Sequence, residues 1–207
     1  GGYKLTSTND EPSATTDFVG NISKKSSTET YTAIYPYNEV NNVEENTIYT
    51  VIPAIQTAKE STFEQKTFVS IARSDNENLY FRNICSGIKF SVKNAGIKKV
   101  VISTRDGASI AGGVSYSIDS WNCQFDSDAS SKITVNAPSE AGFEIGKFYY
   151  AVLFPFKNDS GVDITFCTED ETAVFEYQMP IEFKRGVFKR LYEKDADLQF
   201  HGSKAIF

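Results

Sequence analysis

The sequence predicts an all-β protein of antiparallel β-sandwiches, with helix limited to short turns. Three observations predict it. Ile, Val, Thr, Phe, Tyr and Trp supply 76 of the 207 residues, and their branched and aromatic side chains fit a pleated surface. Leu has only five copies against 17 Ile and 14 Val, which argues against a helical bundle rich in Leu and Ala. From Leu79 onward, short apolar or alternating runs recur roughly every 8 to 14 residues between turn signals, the rhythm of sandwich strands.

Residues 3–30 are polar, with Phe18, Val19 and Ile22 as their one apolar cluster. The first strong strand is Tyr31 to Tyr35, stopped by Pro36; the second is Thr47 to Ile52, stopped by Pro53. Proline cannot donate to a ladder, so each marks an end. A third run, Thr67 to Ala72, leads to the turn-forming Asp75 to Asn78. From Leu79 to Val92 the apolar phase switches, with Leu79 and Phe81 in one register and Ile88, Phe90 and Val92 in the other. Gly87 between them is a candidate bulge, because a one-residue slip reverses the faces of a strand.

Strands then follow at Ile97 to Ser103, Val114 to Ile118, Ile133 to Val135, Phe148 to Phe154, Val162 to Phe166, Val174 to Met179 and Ile181 to Leu191. The turn signals are Asn94-Ala95-Gly96, Asp106-Gly107, Gly112-Gly113, Ala141-Gly142 and Asp159-Ser160-Gly161. Phe148 to Phe154 is apolar on both faces, so that strand is expected to be central or covered on its outer side. In the next strand Val162, Ile164 and Phe166 share a face. Cys167 is therefore placed with Asp163 and Thr165, as a free thiol more accessible than Cys85.

The chemistry is bounded by what the chain lacks. Twenty-one basic against 27 acidic residues, net −6, do not make the basic stripe that displaces counterions from nucleic acid. One His, His201 in a polar tail, cannot build a multi-histidine zinc site. Cys85, Cys123 and Cys167 show no C-x-x-C spacing and define no disulfide framework. Asp126-Ser127-Asp128 begins like a calcium loop, but Ser131 and Ala137 stand where that loop needs Gly and Glu. Glu169-Asp170-Glu171 reads as a hairpin tip, and Gly112-Gly113 opens no helix that could cradle a phosphate. No catalytic, cofactor-binding or metal-ligating residue is singled out, and neither an enzyme nor a cofactor is expected. Tyr31, Tyr35, Tyr37, Tyr49, Tyr149, Tyr150 and Trp121 could form a sugar-stacking platform; the simpler reading places them in the core and between sheets. No run approaches the roughly 18 apolar residues of a membrane-spanning helix.

An ordered string of motifs carries a resemblance. Tyr31-Thr32-Ala33-Ile34-Tyr35-Pro36-Tyr37 is followed by Ile52-Pro53-Ala54-Ile55-Gln56-Thr57 and by Leu79-Tyr80-Phe81-Arg82-Asn83-Ile84-Cys85-Ser86-Gly87-Ile88-Lys89-Phe90. Ile97 to Ser103, Gly146-Lys147-Phe148-Tyr149-Tyr150, Pro155 and Lys184-Arg185-Gly186 complete it. The string resembles the fimbrillin family of Bacteroidales, Mfa-like surface lipoproteins that include major and minor fimbrial subunits. The resemblance covers roughly residues 18–192.

It implies two transthyretin-like β-sandwiches, residues 1–78 and 79–207, the first incomplete at its start, because the lipid-bearing Cys and the usual first strands are not in the sequence. It implies export as a lipoprotein to the outer membrane and the cell-surface fimbrium, and contact with the membrane only through a lipid anchor. Partners would be other fimbrial subunits, joined by β-strand addition, with adhesion to host or bacterial surface glycans or proteins. The apolar runs 31–35, 47–52 and 67–72 are expected to leave a groove for an added strand. A surface glycan-binding protein on the same scaffold is the alternative.

Overall fold

The computed structural model describes residues 3–11, 13–22 and 30–202. Among them there are strands and no helix. In chain order the first are β1 (Thr6–Ser7), β2 (Phe18–Val19), β3 (Tyr31–Tyr35), β4 (Asn42–Glu44), β5 (Thr47–Ile52), β6 (Ile55–Thr57) and β7 (Ser70–Ser74). Then come β8 (Arg82–Asn83), β9 (Ser86–Ser91), β10 (Lys99–Thr104), β11 (Gly112–Ser117), β12 (Cys123–Phe125), β13 (Lys132–Asn136) and β14 (Tyr149–Leu153). The last are β15 (Phe156–Asn158), β16 (Val162–Cys167), β17 (Glu171–Tyr177), β18 (Ile181–Phe183), β19 (Phe188–Tyr192) and β20 (His201–Gly202).

The largest sheet has the order β20-β17-β16-β10-β13-β6. Its inner face follows from alternation. Val135, Val100, Phe166 and Ala173 lie opposite one another across four strands, and Ile133, Ile102, Ile164 and Phe175 form the next row. All but Phe175 are buried. A four-stranded sheet, β12-β11-β5-β4, turns Ile48 and Ile52 inward and Tyr49 and Val51 outward. Smaller sheets are β14-β9-β19, β3-β7-β8, β15-β18 and β1-β2. Pairing is antiparallel except where β13 meets β6 and β19 meets β9.

The fold class expected from composition and spacing is the one observed. β3 and β5 run between the expected residues, and each ends at its proline. The run expected at 67–72 forms its strand three residues later, as β7. Gly112-Gly113 is not a turn but the start of β11.

Gly87 is not a bulge. It lies in unbroken register between Val152 of β14 and Phe188 of β19. The phase switch falls at Ile84 and Cys85, between β8 and β9. Gly87 is needed for close approach: a Cβ there would collide with the Phe188 ring and stand 2.5 Å from the Ala151 carbonyl oxygen.

Strand pairing also crosses the boundary expected at 78/79. β5 pairs with β11 over six residues, and β6 pairs with β13. Ile48, Val69 and Ile71 belong to the same buried cluster as Ile102, Leu153 and Phe166. The segments before and after residue 78 thus share sheets and a core.

Two polar side chains buried in this core pair with backbone that would otherwise lack partners. Gln56 is 1% exposed. Its Nε2 donates to the Val152 carbonyl at 2.6 Å, and its Oε1 accepts from Val152 N–H at 2.9 Å. This is the two-bond exchange of a strand pair, made by a side chain on the open edge of β14. That strand ends its sheet and is not central, but both its faces are covered, with Tyr150 alone half-buried. Asp195, fully buried, accepts the Lys93 and Asn94 backbone N–H groups at 2.7 to 2.9 Å. It fastens the turn after β19 to the end of β9.

Candidate functional site

The aromatic residues singled out in the sequence do not meet. No ring contact joins any two of the seven among the described residues. Tyr149 is buried against Phe90 and Phe143, and its hydroxyl accepts the Glu144 N–H at 3.0 Å. Tyr150 lies on the other face of the same strand, edge-on to Phe188. There Lys89 holds its ammonium 4.3 Å from the Phe148 ring and 5.5 Å from Tyr150. Tyr35 forms a triangle with Phe18 and Phe81, with centroids 6.0 to 6.3 Å apart. Tyr37 carries Lys4 over its ring, and Tyr49 lies half-exposed on β5.

Trp121 has a different setting. It sits just after β11 at φ 59°, half-buried and edge-on to Tyr116. Arg185 lies 4.2 Å and Arg82 5.5 Å from the indole centroid. Arg185 Nη1 also donates to the Tyr116 hydroxyl at 3.4 Å. Sequence inspection marked Trp121 but neither arginine, because they come from β8 and from the turn after β18, some hundred residues apart. Each lies within a motif of the resemblance, Leu79 to Phe90 and Lys184-Arg185-Gly186, but neither motif links them to Trp121.

The three cysteines are unpaired thiols. Cys85 is fully buried, and burial pushes its thiol up to about 12, with the Val69 N–H opposing that rise. Cys167 is half-buried and shares its face with Asp163 and Thr165, as the alternation of β16 predicts. Burial also raises the Cys123 and Cys167 thiols. Among the described residues, no group of three or more His, Cys, Asp or Glu is placed to hold a metal ion. Asp126 of the calcium-like loop instead closes over Gly113, and its N–H donates to the Gly113 carbonyl at 3.0 Å.

Sheet edges are the other candidate surface. Of the three runs expected to line a groove, β5 lies between β11 and β4, and β7 lies between β3 and β8, so both are paired on each side. Among the described residues β3, β14 and β19 each have one open side, and β17 has an open stretch of similar length. This last strand pairs with β16 from end to end, but on its other side only Glu171 and Thr172 meet β20. No described strand pairs with Ala173–Tyr177 on that side. Five residues span roughly 17 Å of edge. The stretch contains no Pro or Lys, two residues commonly used to blunt edges. Val174 there is 44% exposed. The one charge of the stretch, Glu176, is engaged by Arg105 at 3.2 Å. Gln178 and Arg105 together hold the Glu176 carboxyl below the usual carboxylate range.

No protein-family model matches the chain, and no curated protein matches it. The structure is similar to the crystal structure of a "putative cell adhesion protein" from Bacteroides ovatus, with a TM-score of 0.55 and 16% identity. The likeness covers 90% of this chain and 73% of that one. At that identity the similarity establishes the fold.

Proposed function

We propose that this chain is a non-enzymatic subunit or accessory protein of a bacterial surface fimbria, acting in adhesion and joining its neighbours by β-strand addition. What carries the reading is the open edge of β17. An unpaired row of N–H and C=O groups beside a half-exposed apolar side chain is a template for a strand from another chain. Main-chain bonds would give affinity, and side chains at alternate positions would give specificity. Two further points support it: the resemblance of the motif string to the fimbrillin family, and a fold shared with a Bacteroides ovatus protein named for cell adhesion. In this reading the protein is exported as a lipoprotein and works at the outer-membrane surface, with fimbrial subunits as its partners.

The test compares cells with and without the gene by negative-stain electron microscopy and by attachment to a coated surface. Loss of surface fibres and of attachment is expected. Fibres and attachment equal to those of the parent cells would overturn the reading.

A further inference from the structure

We infer that the patch around Trp121 and Arg185 is a binding site for a carboxylate-bearing saccharide, a sugar acid within a longer glycan. The inference stands on this patch alone and does not depend on how the chain assembles.

The electrostatics come first. The protein carries a net charge of −6, yet two guanidinium groups converge here on one indole. Neither Arg82 nor Arg185 has a carboxylate within ion-pair distance among the described residues, whereas Arg73 and Arg105 are paired with Asp119 and Asp163. Both carbon centres lie within 5.5 Å of the Trp121 ring centroid. Both side chains are exposed to solvent. A carboxylate brought to either would take the paired N–H bonds that a guanidinium fork offers.

Arg185 also belongs to the rim of an adjoining open hollow of about 320 Å³. Small-ligand clefts run from roughly 300 to 1,000 Å³. Phe156 and Phe183 line it, stacked at 4.8 Å and 17°. Lys157 and Lys184 lie on its border, and Glu182, also on it, is paired with Lys184 at 3.5 Å.

Lys157 and Arg185 have no carboxylate partner among the described residues, and together with the aromatic lining they suit a sugar acid better than an acidic peptide. A saccharide sets apolar C–H faces and hydroxyl donors between its carboxylates, so a hydroxyl can meet Glu182 while a carboxylate meets Arg185. A run of Asp or Glu side chains would place like charge against Glu182.

Trp121 is the single tryptophan of the chain, so its fluorescence reports on the patch directly. The whole chain is titrated with a hyaluronan hexasaccharide, in which glucuronate alternates with N-acetylglucosamine, and with chitohexaose, which lacks the carboxylates. A saturable change with the first and none with the second is expected. The double variant Arg82→Gln/Arg185→Gln should weaken binding at least tenfold, while Arg190→Gln on β19 leaves it unchanged, with melting temperature confirming that each is folded. Raising salt from about 0.05 to about 0.5 M should weaken binding to the unmodified chain severalfold, since screening shortens the reach of exposed charges. Equal response to chitohexaose, no saturable response to hyaluronan, or binding indifferent to salt and to the double variant would overturn the inference. So would an equal response to hexaglutamate, which would make this an acidic-peptide site. None of these results bears on strand addition at β17.

Discussion

The Gln56 side chain does for β14 what a neighbouring strand would do, and its removal leaves two buried backbone groups of Val152 without partners. Each orphaned group costs about 1–3 kcal/mol. Gln56→Ala is therefore expected to lower stability by about 2–4 kcal/mol, measured by urea unfolding; a loss below about 0.5 kcal/mol would mean that water replaces the amide. Cys85 offers a pH-dependent test. Its folded thiol titrates near 12, whereas an unfolded thiol titrates near 8.5. Below pH 8 both states are protonated and the group contributes its full share of stability. As pH rises between the two values the unfolded chain ionises first, so stability falls, by on the order of a few kcal/mol over the window. Comparison with Cys85→Ala isolates this effect from the Tyr and Lys residues that titrate in the same range. The unmodified protein should lose more stability than the variant between pH 8 and pH 10.5, and parallel losses would refute the assignment. The alternation of β16 made the relative exposure of Cys167 and Cys85 readable in the sequence. The clamp by Gln56 was not, because a glutamine in a short polar-flanked run looks solvated until the strand it pairs with, 96 residues away, is in place.

At the scale of elements, local signals located strands well where punctuation was strong. Pro36 and Pro53 closed β3 and β5 at the residues expected, since proline ends a ladder whatever lies around it. They failed where strands are two or three residues long. β4, β6, β12 and β15 pair too few residues to show a period, and their existence rests on neighbours brought from elsewhere in the chain. The same limit explains why a groove was expected along β3, β5 and β7, whereas β5 and β7 are paired on both sides, β3 is paired on one, and β17 offers a further open edge. Alternation shows which face of a strand is buried, but not whether its edges are filled. The edge proposal makes a direct prediction. Val174→Lys places a charge within the open stretch and should abolish assembly, read as the loss of high-molecular-weight species and of fibres in electron micrographs. Because Val174 is already partly exposed, the melting temperature of the isolated chain should move by no more than about 2–3 °C. Undiminished assembly of the lysine variant would rule out this edge as the joint.

For the whole molecule, the decisive feature is that strand pairing and core run through residue 78. Composition and strand rhythm were enough for the all-β class, because both are sums over local preferences. The division into units at 78/79 came from the family resemblance and from the change in rhythm at Leu79. Neither of these sees that β11 takes β5 as its neighbour, or that β13 takes β6. Removing residues 1–78 would expose the edge of β11 along six residues, strip the Gln56 clamp from β14, and empty the places of Ile48, Ile52, Val69 and Ile71 in the shared core. Four buried aliphatic side chains alone represent about 6–12 kcal/mol of transfer free energy, comparable to the whole stability of a domain. The chain should consequently unfold in one cooperative transition, with Trp121 fluorescence and far-ultraviolet circular dichroism giving the same midpoint. Residues 79–207 expressed alone should lack a cooperative melt. Two resolved transitions, or a separately folded 79–207 fragment with a melting temperature near that of the full chain, would show that the shared strands add little and that the halves are independent units.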